Sequence, residues 1–158
     1  CPMRDPFIES IEKLLLRDLA QLEKELEMYP DESSVWKTTG AISNSAGNLT
    51  LHLIGNLRYF IGTQLGKTGY ERDRPAEFSS RDVPRATLIE SIHVTKTDIL
   101  QGLAAVDASR LQQRYPENPF HQQGGTVQHM LMHLCVHLGY HLGQVNYHRR
   151  LVATQKSS

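Results

Sequence analysis

The sequence predicts an all-α protein, a four-helix bundle, on three observations. Apolar residues recur at three-to-four spacing in four separate segments. Three of those segments begin at a capping residue or a proline placed to start a helix. No segment of useful length alternates with the two-residue period of a strand. The 158 residues suffice for one domain with a real core, and 1–158 are read as a single such domain.

The first helix is expected from Asp5 to Met28. Ile8, Ile11, Leu14, Leu15, Leu19, Leu22 and Leu26 form its apolar stripe, Asp5-Pro6 is an N-cap followed by proline at the first helical position, and Pro30 stops it. Asp31 to Ser43 is polar and reads as a loop whose Trp36 packs over one end of the bundle. The second helix is expected from Ser45 to Leu65, with Leu49, Leu53, Leu57, Phe60 and Ile61 inward. Gly66 to Pro84 is a long connection. Asp82 or Ser80 can cap a third helix that has Pro84 near its first turn, reaches Val106, and turns Leu88, Ile92, Ile99, Leu100 and Leu103 inward. Arg110 to Gly125 is a second long connection, and Thr126 can cap the fourth helix, which runs to Val152. Short loops alone would give up-down-up-down order; the long connections after helices 2 and 3 leave room for a crossover.

Composition excludes several function classes. Lys+Arg and Asp+Glu are both 17, so there is no basic footprint for nucleic acid and no polybasic membrane patch. No apolar run reaches the roughly 18 residues of a spanning helix, and the N-terminus shows no signal-peptide pattern. Cys1 and Cys135 make no disulfide framework, so a cytoplasmic location is expected, and Cys135 reads as core rather than nucleophile.

Eight histidines are the unusual feature. His129, His133, His137 and His141 repeat every four residues on the fourth helix. Each such step drifts about 40° around the axis, so only adjacent members can share one ion. Both His133/His137 and His137/His141 satisfy that spacing. A third ligand is available in His52 on the second helix, flanked one turn away by Asn48 and Asn56. A lone histidine there would read as a satisfied core residue; beside a pair on another helix it reads as a metal ligand. Three neutral imidazoles leave a divalent ion an open position, which suits catalysis or thiol binding better than a closed structural site. Imidazoles alone do not select the ion: zinc or nickel comes first, and iron or manganese also fits. His148 falls about 10 Å further along the axis, too far to share the ion, and reads as a helix-capping or solvent residue. His93 and His121 read as surface or loop positions. Gly139 and Gly143 weaken the helix by about 1 kcal/mol each, which marks a close approach of another helix or a ligand.

The blocks Asn44-Ser-Ala-Gly-Asn48-Leu-Thr-Leu-His52-Leu-Ile-Gly-Asn56-Leu-Arg58 and His137-Leu-Gly-Tyr-His141-Leu-Gly-Gln144-Val-Asn-Tyr, with the spacing between them, resemble the DinB-like superfamily of bacterial metal-binding four-helix bundles. The resemblance covers essentially the whole chain. It implies an up-down-down-up bundle, a homodimer, and His52, His137 and His141 as the metal ligands, with His133 outside the set. Leu142 stands where much of that superfamily has arginine, so an anion contact from that position is not carried over. Relatives implied by the resemblance include thiol-dependent S-transferases and a thiol-dependent maleylpyruvate isomerase. The expected function is therefore a metal-dependent transferase acting on a small-molecule substrate through a low-molecular-weight thiol, with Asn48, Asn56 and Gln144 as cofactor-orienting groups. A metal hydrolase and a non-enzymatic, stress-related dimeric binding protein are the alternatives.

Overall fold

A computed structural model of the chain describes residues 4–116 and 125–153. Among the described residues the structure is all helical; an isolated antiparallel bridge joins Arg114 to Thr126, and there is no strand. His121 and Cys1 lie outside the described residues.

Helix α1 spans Pro6–Glu27. Asp5 caps it, its Oδ1 accepting from the Phe7 amide at 2.8 Å, and Pro6 fills the first helical position. Ile8, Ile11, Leu15, Leu19, Leu22 and Leu26 are buried. Leu14, expected inward, is 38% exposed because the buried stripe steps from Ile11 to Leu15 and leaves Leu14 on its flank. The following segment is not wholly a loop. Asp31 caps a short helix α2, Glu32–Val35, and Trp36 lies so close to the start of the next helix that a Cβ on Gly47 would sit 2.6 Å from the indole.

Helix α3, Ala46–Leu57, is capped by Ser45 and buries almost every residue. It continues through a π-helical segment, Arg58–Thr63, into α4, Gln64–Gly66. The single expected helix is therefore helical throughout but interrupted by a loosened turn. There the Phe60 carbonyl accepts a hydrogen bond from the buried Tyr115 hydroxyl at 2.6 Å. The connection after it holds a further helix, α5, Arg74–Ser79, started by Asp73 and Pro75.

Helix α6 spans Arg85–Ala104. Neither Asp82 nor Ser80 caps it. Asp82 takes a left-handed conformation (φ 56°), and the Ser80 carbonyl is held by Asn48. Glu32 on α2 does the work instead: its Oε2 accepts from the Arg85 amide at 2.9 Å, while the Arg85 guanidinium caps the end of α1 through the carbonyls of Leu26 and Tyr29. Leu88, Ile92, Ile99 and Leu103 are buried, but Leu100 is 43% exposed. A short α7, Ala108–Leu111, interrupts the second connection, and α8 runs Val127–Ala153 after Thr126, whose hydroxyl accepts from the His129 amide.

Helix α1 packs on α6 and α8, and α3 packs on α5, α6 and α8. The tightest backbone approach is where α6 crosses the π-helical segment: a Cβ on Gly102 would lie 2.3 Å from the Ile61 carbonyl oxygen. Because the obstacle is backbone, Gly102→Ala is expected to destabilise the fold by about 2–3 kcal/mol, read as a lower urea midpoint with unchanged slope. At Gly139 and Gly143 no such approach exists among the described residues. Of these, none lies within 4 Å of a Cβ at Gly143, and only an Asp18 carboxylate oxygen, at 3.9 Å, at Gly139.

Candidate metal centre

Where α3 faces α8, three imidazoles converge. The ring centroids of His52 and His137 are 5.0 Å apart, those of His52 and His141 5.2 Å, and those of His137 and His141 4.6 Å. One nitrogen from each lies within 4.8 Å of the other two, so the three residues could hold a metal ion. His52 Nε2 and His137 Nε2 are 3.1 Å apart. Two nitrogens each about 2.0–2.1 Å from a tetrahedral ion would be about 3.3 Å apart, so the spacing fits. His133 stacks on His137 at 6.2 Å but is exposed and outside the cluster, as the helical drift requires.

The protons of this site are placed by its surroundings. His52 Nδ1 donates to Glu77 Oε1 at 3.0 Å, and His141 Nδ1 donates to Gln144 Oε1 at 2.7 Å. Both rings are thereby held in the tautomer that leaves Nε2 bare, as a ligand set needs. His137 Nδ1 is buried and has no partner among the described residues, nor does Asn56 Oδ1, one turn beyond His52.

Glu77 and Arg72 were not expected. Arg72 grips Glu77 through two bonds, Nε to Oε2 and Nη2 to Oε1, both 2.9 Å, with side-chain exposures of 2% and 5%. Glu77 reaches His52 only because residue 55 is glycine: a Cβ there would stand 1.9 Å from Glu77 Oε2. Asn48 fastens the segment that carries Glu77, donating to the carbonyls of Glu77 (3.0 Å) and Ser80 (2.9 Å) while its Oδ1 accepts from Ser45 and Arg81. Its amide thus serves the backbone of α5, while Gln144 serves a metal-candidate ring directly. Two sequence signals could have found Glu77: Asp73 with Pro75 as a helix start, and Gly55 three residues past His52 in an otherwise apolar helix.

His148 departs from the capping or solvent role expected of it. It is buried, accepting from the Tyr29 hydroxyl at Nδ1 and donating from Nε2 to the Lys37 carbonyl, both at 2.7 Å. Cys135 is half-buried, and burial pushes its thiol up to about 11, which fits a packing residue.

Burial, reinforced by the neighbouring imidazoles of His141, His52 and His133 and by Arg72, pushes His137 down from 6.5 to about 3. Burial also lowers His141 and His148. His137 and His141 are therefore neutral at neutral pH. Each folded value lies below the unfolded one, so below pH 6.5 the unfolded chain takes up protons that these rings refuse. Stability of the metal-free protein should then fall as pH drops from about 7 to about 5. The lowered carboxylates Glu23 and Glu25 act only at more acid pH. Equal urea midpoints at the two pH values would contradict the assignment.

No curated protein matches the chain. A family model does, over residues 3–157, and the chain accordingly belongs to the family described as "Protein of unknown function (DUF1572)".

Proposed function

We propose that this protein is a DinB-like four-helix bundle that binds one divalent metal through His52, His137 and His141 and transfers a group to or from a low-molecular-weight thiol. The observation that carries the reading is the convergence of three imidazoles from two helices, two of them fixed with Nε2 bare. Zinc or nickel is preferred, and iron or manganese suits the same donors.

Pairs of contacts support an up-down-down-up order. Asp18 meets Gly139 and Glu25 meets Arg149, so α1 and α8 ascend together. Arg58 meets Asp98 and Gly66 meets Gln101, so α3, with its continuation, and α6 also share a direction. Arg85 at the start of α6 meets Leu26 at the end of α1, which reverses those two.

A divalent ion bound here would supply Lewis acidity, holding a thiol sulfur as thiolate near neutral pH. The chain's own residues supply the rest. Glu77 and Gln144 orient two of the rings, Arg72 fixes Glu77, and burial keeps His137 neutral and able to bind. Glu77 is committed to His52 and Arg72 and so is not placed as a general base, which favours thiol transfer over hydrolysis.

The test is metal-loaded protein with glutathione, bacillithiol or mycothiol and the electrophile 1-chloro-2,4-dinitrobenzene. Conjugation that disappears with a chelator is expected. Its absence with every thiol, beside chelator-sensitive cleavage of an ester panel, would replace the reading with a hydrolase.

A further inference from the structure

His141 has two neighbourhoods. One side of its ring belongs to the triad. The ring also lines a cleft of about 470 Å³ between the segment before α3 and the last turns of α8. The walls are Ile42, Leu49, Tyr140, Tyr147 and Leu151. Tyr140 and Tyr147 are 64% and 67% exposed. Tyr140 also lies edge-on to His141, with ring centroids 5.2 Å apart.

Among the described residues the polar lining is uncharged. Ser43, Asn44 and Gln144 contribute neutral groups, with the Gln144 oxygen turned to His141. His148 shows the cleft only ring carbon, since both its nitrogens bond to Tyr29 and Lys37. Among the described residues, no Asp, Glu, Lys or Arg lines it. Arg150 sits 4.4 Å over the Tyr147 ring and is not among the residues that line the cleft.

We infer that this cleft receives an uncharged, flat apolar group of the substrate or thiol and brings that molecule's donor atom to the triad at His141. The inference rests on the metal-binding reading above and narrows its ligand. A tripeptide thiol with two carboxylates would meet no countercharge among the described lining residues, whereas a phenyl-sized group would lie against Tyr140, Tyr147, Leu49 and Leu151.

The experiment uses full-length protein loaded with cobalt(II), whose visible spectrum reports on the ligands around it, titrated with three hydroxamates that share one chelating head. Benzohydroxamate is expected to bind about 10- to 100-fold tighter than acetohydroxamate, and succinohydroxamate, which carries a carboxylate, no tighter than acetohydroxamate. In the variant Tyr140→Ala/Tyr147→Ala, both exposed positions, the benzo-to-aceto ratio should fall to about threefold or less. Equal affinities in the unmodified protein overturn the inference, as does a ratio that survives loss of both tyrosines or a preference for the carboxylate probe. Should a second copy of the chain occupy the cleft, the ratio would be near unity and light scattering would show a smaller particle for the tyrosine variant, which also overturns it. Failure to take up cobalt at all would instead remove the metal-binding reading, and this inference with it.

Discussion

His137→Ala should strip the protein of its metal. Purified wild-type protein is expected to carry about one divalent equivalent by elemental analysis, and the variant less than about a tenth after dialysis. The magnitude follows from simple partition: structural zinc sites release about 10–16 kcal/mol over four ligands, so one ligand accounts for roughly 3 kcal/mol, or about 150-fold in affinity. His137 is the informative choice because it sits between the other two rings, 5.0 Å from His52 and 4.6 Å from His141. His133→Ala is the matched control. That ring stacks on His137 at 6.2 Å yet lies outside the cluster, so its loss should leave the metal in place. A full equivalent retained by His137→Ala, or lost equally in both variants, would exclude the proposed ligand set. Circular dichroism melts of metal-free samples separate loss of metal from loss of fold.

Much of this site was legible in the sequence because its three imidazoles sit on long helices. The stripe Ile8 to Leu26, the Asp5-Pro6 start and the run Leu49 to Ile61 are period-and-cap signals, and the long helices formed where those signals fell. The four-residue histidine repeat limited the possibilities to adjacent pairs, and the position of α3 beside α8 brings His137 and His141, not His133, to His52. What the sequence concealed is what depends on tertiary packing. Helix α5 has six residues and one large apolar side chain, Phe78, too little for any periodic pattern, so it reads as part of the long connection from Gly66 to Pro84. Glu77 and Arg72 are in fact among the most enclosed charged side chains of the site, and only the fold of that segment over α3 puts them there. The π-helical turn at Arg58–Thr63 has no proline to announce it; Tyr115, far away in sequence, satisfies its Phe60 carbonyl. Helix capping of α6 by Glu32 is likewise a contact across 53 residues, which no local motif encodes.

Glu77→Ala is expected to produce two separable losses. The first is stability. Arg72 is 2% exposed at its side chain, and removal of its bidentate partner leaves a buried guanidinium without its carboxylate, a change that costs about 3–5 kcal/mol. For a chain of this size that is a melting temperature lower by about 10 °C in the metal-free protein. The second is metal affinity. Without Glu77, nothing holds the His52 proton on Nδ1 and the ring loses its orientation, a loss of about 10- to 100-fold in metal affinity. Glu77→Gln separates the two. Its amide oxygen still accepts from His52 Nδ1, so metal affinity should stay within about fivefold of wild type, since the ring keeps its acceptor, while the Arg72 pair loses its charge and stability falls. Gly55→Ala approaches from the other direction. Its Cβ would stand 1.9 Å from Glu77 Oε2, so the carboxylate must withdraw from His52 while remaining in the protein. Competition titrations against a chromophoric chelator should then show weakened metal binding in Gly55→Ala as in Glu77→Ala, with Glu77→Gln close to wild type. If all three variants bind metal as the wild type does, Glu77 holds only the fold together; if Glu77→Gln loses metal as severely as Glu77→Ala, the negative charge, rather than the acceptor position, sets the affinity of His52.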